Sequence, residues 1–147
     1  MNISFEVKLH IDECLYLLGE KYTPDELYSK VDIMQYAKKL SEKAFFIIVD
    51  DNGIKQGFTA YYLNDEQSFV FITRIAVNEL CRHQGLGRKM IEALSKYYSS
   101  RFEKIELEVE KTNEVARIFY HNMGFYIKED RETKVLMSRE LHSLKNR

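Results

Sequence analysis

Proline is almost missing from this chain: Pro24 is the only one in 147 residues, and there are just six glycines. Linkers and low-complexity tracts are usually rich in such residues, so a single domain spanning 1–147 is the natural reading. No internal repeat is visible. Cysteine is scarce as well, at Cys14 and Cys81 only. Two lone cysteines offer neither metal-ligand spacing nor a disulfide framework, and read as reduced thiols of a cytosolic protein. No apolar run reaches membrane-spanning length, and Met1-Asn2-Ile3-Ser4-Phe5-Glu6 has neither the basic start nor the apolar core of a signal peptide. The expected location is the cytoplasm, with no membrane partner. An excess of one charge is also lacking: 22 Lys and Arg stand against 23 Asp and Glu, a net charge of -1. Without a basic face, nucleic acid is not the expected partner.

What is present is a hydrophobic fraction of 45%, enough for a packed core. Residues 9–20 and 24–43 read as two helices. Thr23 suits an N-cap, with Pro24 at the first helical position and Glu26 completing a capping box. Phe45–Val49 is a short apolar strand. Asp51-Asn52-Gly53 signals a hairpin, returning through Gln56–Leu63. Asn64–Gln67 turns into a strand at Ser68–Val77, dense in β-branched and aromatic residues. A helix from Leu86 repeats apolar residues at Leu86, Met90, Leu94 and Tyr97, and ends near Ser100. From Lys104 to Val109 the residues alternate, with Ile105, Leu107 and Val109 on one face and Glu106, Glu108 and Glu110 on the other. Val115, Ile118 and Phe119 read as the apolar stripe of the next helix, with Gly124 at its left-handed C-terminal position. Strands near Tyr126–Glu129 and Lys134–Arg139 close the chain, and Ile3–Lys8 is a candidate first strand. This order predicts a mixed α+β sheet.

The most informative segment is Arg82-His83-Gln84-Gly85-Leu86-Gly87, between a strand and a helix. The first amides of a helix lack intrahelical acceptors, and the helix dipole adds partial positive charge there. Glycine lets a phosphate approach the backbone without a Cβ in the way. Arg82, Arg88 and Lys89 add full charges. A Walker loop would need Lys-Ser or Lys-Thr after the last glycine, where Arg88-Lys89 stands. A dinucleotide fingerprint would need a third glycine where Met90 stands. An ordinary tight turn has the same ingredients, so the segment alone leaves both readings open.

Downstream, Leu107-Glu108-Val109-Glu110-Lys111-Thr112-Asn113 leads into Ala116, Phe119, Tyr120, Gly124 and Phe125. Together with Arg-x-x-Gly-x-Gly, this second block resembles the signature of the GNAT superfamily of N-acetyltransferases. The resemblance is clear from about Ala44 to Met137 and rests on pattern alone before that. It implies an α+β, mostly antiparallel sheet of about six to seven strands, splayed in the middle, with about four helices on its faces. It also implies acetyl-coenzyme A as cosubstrate, without a metal.

By that resemblance, the amides and cations of Arg82, His83, Gln84, Gly85, Leu86, Gly87 and Arg88 hold the pyrophosphate. The backbone of Ile75, Ala76 and Val77 pairs with the pantetheine arm, while the side chains of Ile75 and Val77 pack in the core. Asn113 either touches the coenzyme or caps its helix, or does both. Tyr120 stands where many members keep a tyrosine that protonates the departing thiolate. Glu108 aligns with a glutamate used by ribosomal-protein N-terminal acetyltransferases; Glu79 or a water relay are the rival bases, and a solvated glutamate face is the plain alternative.

The implied activity is direct acetyl transfer to a primary amine of a small metabolite, an amino sugar or a peptide N-terminus. A coenzyme A-binding sensor or partner module without catalysis is the alternative. The aromatic residues Tyr22, Tyr28, Tyr36, Tyr61 and Tyr62 read either as acceptor wall or as core. Homodimerisation through the last strands is common in the family.

Overall fold

The computed structural model describes residues 1–19, 22 and 32–141. Thr23, Pro24, Glu26, Tyr28 and His142 lie outside the described residues. Seven strands and four α-helices are present among those described: β1 Asn2–Val7, α1 Ile11–Leu17, α2 Ile33–Lys43, β2 Phe45–Asp51, β3 Ile54–Asn64, β4 Phe69–Val77, α3 Leu86–Tyr98, β5 Lys104–Glu110, α4 Glu114–Asn122, β6 Tyr126–Arg131 and β7 Lys134–Glu140. The sheet order is β1-β2-β3-β4-β5-β7-β6. The pair β4–β5 is parallel; β1–β2, β2–β3, β5–β7 and β6–β7 are antiparallel. This is the mixed, mostly antiparallel sheet that the sequence predicts.

The chain divides into two compact units, Met1–Tyr62 with Arg74–Ile91, and Leu63–Thr73 with the chain from Glu92 onward. In the first, α1 starts where the His10 amide donates to Glu13 Oε1 at 3.1 Å. α2 starts where Asp32 Oδ1 accepts from the Gln35 amide at 3.1 Å. These local caps satisfy amides that a helix cannot satisfy itself. Leu9, Cys14, Leu17, Leu18, Ala37, Leu40, Phe46, Ile48, Phe58, Ala60 and Ala76 form one apolar cluster. The β2–β3 hairpin turns through Asn52 and Gly53, at φ 52° and 80°. Both values are left-handed, as an Asn-Gly type I′ turn requires. A Cβ on Gly57 would stand 3.0 Å from the Ala76 carbonyl oxygen and 3.2 Å from Met90 Cε. The glycine thus permits a close approach of β3 to the end of β4.

In the second unit the parallel ladder runs from Phe69 opposite Lys104 to Ile72 opposite Leu107 and ends there, although β4 continues to Val77 and β5 to Glu110. β5 and β7 pair along their whole length, from Lys104 opposite Glu140 to Glu110 opposite Lys134. Ile105, Leu107 and Val109 are buried, as their alternation predicts. Burying side chains of this size contributes roughly 1.5–3 kcal/mol each.

Two apolar stripes differ from the sequence reading. In α3, Leu86, Met90 and Leu94 are buried, but Tyr97 is 45% exposed and Tyr98 takes the inward position. A helical period of 3.6 allows either a three- or a four-residue step. Edge-to-face stacking of Tyr98 on Phe102, at 5.6 Å between ring centroids, favours the four-residue step. In α4, Val115 and Ile118 are exposed at 82% and 56%. Phe119, the third residue of the predicted stripe, is half-buried like Ala116, and the buried positions are Tyr120 and Met123, with Tyr120 stacked on Phe125 at 5.6 Å. A helix this short presents one inward line, and the aromatic stack sets which one.

Candidate functional site

Strand β4 ends in Ile75 and Val77, both half-buried, around a buried Ala76. Its pairing extends one residue further, where the Asn78 amide donates to the Gln56 carbonyl at 2.7 Å. Asn78 Oδ1 then accepts from the Leu80 amide at 3.0 Å and caps a single 3-10 turn, Glu79–Cys81. This turn redirects the chain into the glycine loop. Arg82 folds back, and its Nε donates to the Val77 carbonyl at 3.4 Å.

The loop backbone is left-handed at two positions, His83 at φ +66° and Gly85 at φ +75°, after an extended Arg82 at φ -69° and ψ 159°. A tight turn of this kind can present backbone N–H groups to an anion. Histidine tolerates this conformation better than most residues; Gly85 adopts it without steric cost. Residues 82–85 are exposed, and a Cβ at Gly85 would meet no heavy atom within 4 Å. The loop is therefore open on its outer side. Leu86 is the buried anchor where α3 begins, and the Lys89 amide donates to the Gly85 carbonyl at 3.1 Å as the first helical bond. Amides N-terminal to Lys89 point away from the helix without an acceptor in it. Arg88 and Lys89 are exposed at this end. Glu79, the rival base, is exposed on the 3-10 turn.

The second unit holds the other sequence-predicted residues. Asn113 caps α4: its Oδ1 accepts from the Ala116 amide at 3.1 Å. Arg117 secures the same loop, its Nη1 donating to the Lys111 carbonyl at 3.1 Å. Tyr120 lies in the last turn of α4 and is 9% exposed, packed edge-to-face between Phe119 and Phe125. The amides of Met123 and Phe125 both donate to its carbonyl at 3.0 Å, and Gly124 follows at φ +91°.

The three glutamates of β5 are not equivalent. Glu106 is buried, 3% exposed, and its Oε2 accepts from Lys128 Nζ at 2.7 Å, with Lys104 Nζ at 3.9 Å. The Lys128 ammonium is correspondingly held above its ordinary pKa, chiefly by its hydrogen bond to Glu106. Glu108 is exposed, and its Oε2 accepts from Arg131 Nη1 at 2.9 Å. The alternation gives Glu106 only as part of a solvated glutamate face, which its burial contradicts, and neither its lysines nor Arg131 stood out in the sequence. The only signal was opposite charge on β5 and β6, and β7 lies between those strands in the sheet.

Of the aromatic residues read as wall or core, Tyr61 and Tyr22 are buried. The Glu6 amide donates to the Tyr61 hydroxyl at 3.3 Å, and the Tyr22 hydroxyl donates to the Lys55 carbonyl at 2.7 Å. Tyr36 and Tyr62 are half-buried. Among the described residues, no helix is long and apolar enough to cross a membrane, and no group of His, Cys, Asp and Glu is arranged to hold a metal ion.

A family model described as acetyltransferase (GNAT) family matches residues 11–125. No curated protein matches the chain. Among solved structures, the chain is similar to the PaiA N-acetyltransferase of Thermoplasma acidophilum in complex with coenzyme A, with a TM-score of 0.71, 17% identity and coverage of 95% of this chain and 99% of that one. It is similar to the ribosomal-protein-S18-alanine N-acetyltransferase of Escherichia coli, with a TM-score of 0.72, 18% identity and coverage of 95% and 94%. A GNAT family acetyltransferase of Elizabethkingia anophelis with acetyl-coenzyme A bound gives a TM-score of 0.68 at 16% identity, over 95% and 97%. At these identities the likeness is one of fold.

Proposed function

This chain belongs to the acetyltransferase (GNAT) family, and from that premise we propose that it moves an acetyl group from acetyl-coenzyme A directly to a primary amine. The observation that carries the reading is the exposed 82–85 loop at the start of α3, left-handed at His83 and Gly85, with Arg82 at its entry. Such a loop suits a diphosphate, because exposed turn amides, a helix N-terminus and a full positive charge all favour an anion. Coenzyme A bound to two structural neighbours supports the same cosubstrate.

The chemistry follows from the proton inventory. An alkylamine of pKa about 10.4 is mostly ammonium at neutral pH and must lose a proton before it attacks. The free amine adds to the thioester carbonyl, and a backbone amide near Ile75–Val77 donates to the resulting oxyanion. The C–S bond then breaks as the amide forms. Tyr120 gives its proton to the departing thiolate, since a phenol with pKa near 10 matches a thiolate of similar basicity. Glu108 receives the acceptor's ammonium and takes its proton. Acceptors are small metabolites, amino sugars or peptide N-termini. The free thiols Cys14 and Cys81 support a reducing compartment, the cytoplasm.

Two measurements test this. Calorimetry with coenzyme A and acetyl-coenzyme A is expected to show one binding site, and the absence of any heat would remove the reading. Thiol release from acetyl-coenzyme A across an amine panel is expected to show turnover with at least one class. Binding without turnover would instead favour a sensor.

A further inference from the structure

Arg131 binds two carboxylates at once. It holds Glu129 from two nitrogens, Nε to Oε1 at 3.1 Å and Nη2 to Oε2 at 3.3 Å, and reaches Glu108 Oε2 with Nη1 at 2.9 Å. Glu108 and Glu129 are both in register with Leu136, which lies between them on β7. Arg131 therefore bridges two carboxylates across one intervening strand. It is the last residue of β6, directly before the turn into β7, where it pairs with Lys134.

The two contacts differ in kind. A guanidinium gripped on two nitrogens by one carboxylate keeps an oriented, charge-assisted pair. The third contact, to Glu108, is single and lies at the surface, where ion pairs are weak and exchange readily. If Glu108 lets go, Arg131 still has Glu129. Glu108 is accordingly a carboxylate whose cation can be replaced without stranding that cation. Glu106, its neighbour two residues away on the same face, differs: it is buried under Lys128 and Lys104.

We propose that Arg131 is a built-in competitor for the acceptor: it occupies on Glu108 the place that the acceptor's ammonium takes during turnover, and so sets how strongly cationic acceptors bind. This rests on the reading of Glu108 as the residue that receives the amine. Release of the Arg131 contact leaves Glu108 exposed to the incoming ammonium, with the charge balance kept because one cation replaces another. Selection follows from the competition. An amine must displace the single Nη1 contact, so weakly held amines are disfavoured.

The test uses ethylammonium as probe and the side-chain carboxyl carbon resonance of Glu108, followed by NMR in the full-length protein at constant ionic strength. The wild type is expected to show a saturable shift with ethylammonium that sodium and tetramethylammonium do not produce. Arg131→Gln is expected to lower the apparent dissociation constant at least three-fold, and Arg131→Lys to restore part of the competition. Equal affinity in the wild type and Arg131→Gln, with both folded by circular dichroism, would overturn the proposal while leaving Glu108 as an amine site. A shift that sodium or tetramethylammonium reproduces, or no shift in either protein, would remove both the proposal and the role of Glu108. Neither result bears on coenzyme A binding, which calorimetry measures separately.

Discussion

Arg82 Nε donates to the Val77 carbonyl at 3.4 Å, tying the glycine loop back to the strand that leads into it. The bond is long and exposed, and such a contact adds little to stability. It does tether the exposed guanidinium to the end of β4, at the base of the loop. A cation tethered in this way loses less side-chain entropy when an anion arrives.

Arg82→Ala is accordingly expected to weaken coenzyme A binding far more than folding. A hydrogen bond to a charged group contributes about 1.5–3 kcal/mol, or roughly 10- to 150-fold in dissociation constant. Calorimetry gives the affinity and thermal unfolding gives the stability. An unchanged affinity, or a fall in melting temperature that accounts for the loss, would take Arg82 out of the binding site.

Tyr120→Phe separates chemistry from packing. The ring contacts with Phe119 and Phe125 depend on the aromatic ring, which phenylalanine keeps. Stability and coenzyme A affinity are therefore expected to stay close to wild type. General acid catalysis supplies about 10²- to 10⁴-fold, so kcat is expected to fall within that range. Thiol release measured at saturating acetyl-coenzyme A decides it, and unaltered turnover would reduce Tyr120 to a packing residue.

The parts of this molecule legible in the sequence are those whose determinants are neighbours in the chain. The Asn52-Gly53 turn, the strand–glycine–helix passage at 77–86 and Gly124 at the end of α4 all depend on backbone conformations within a few residues. The alternation of β5 is equally local, and its odd residues are buried as expected. What the sequence concealed depends on sheet order. Glu106 and Glu108 sit two residues apart on one strand, yet one is buried under Lys128 and the other faces Arg131. Their partners come from β6, and β7 lies between. Helical periodicity failed for a different reason. Tyr97 and Tyr98 both satisfy a 3.6-residue period, and only the stack with Phe102 distinguishes them. Val115 and Ile118 are strongly apolar yet exposed, because the Tyr120–Phe125 contact sets Tyr120 as the buried position of the helix.

Asn113 offers a case in which two roles can be separated by chemistry. Its side chain accepts from the Ala116 amide, and losing an N-cap costs about 1 kcal/mol. Asn113→Ala is expected to lower stability by that amount. Asn113→Ser keeps a capping oxygen and should keep the stability. If Asn113 also contacts the coenzyme, the serine variant will fold like wild type but bind coenzyme A more weakly. Equal binding by the serine variant and wild type would restrict Asn113 to capping.

The two cysteines should react at very different rates. Cys14 is fully buried in the apolar cluster of the first unit, and burial pushes its thiol from 9.0 up to about 11. The thiolate is the nucleophile, so at pH 8 Cys14 is both shielded and protonated. Cys81 is partly exposed on the 3-10 turn before the glycine loop. Titration of the native protein with a disulfide reagent is expected to modify one thiol quickly, lost in Cys81→Ser, and the second only on unfolding. The sign of the linkage is fixed by the same shift. A thiol whose folded pKa is raised gives its full contribution below pH 9 and loses it as the pH climbs through about 11. Cys14→Ala should therefore lose less stability between pH 9 and 11 than wild type does. Fast modification of both thiols in the native state would show that the cluster around Cys14 opens far more readily than its packing implies.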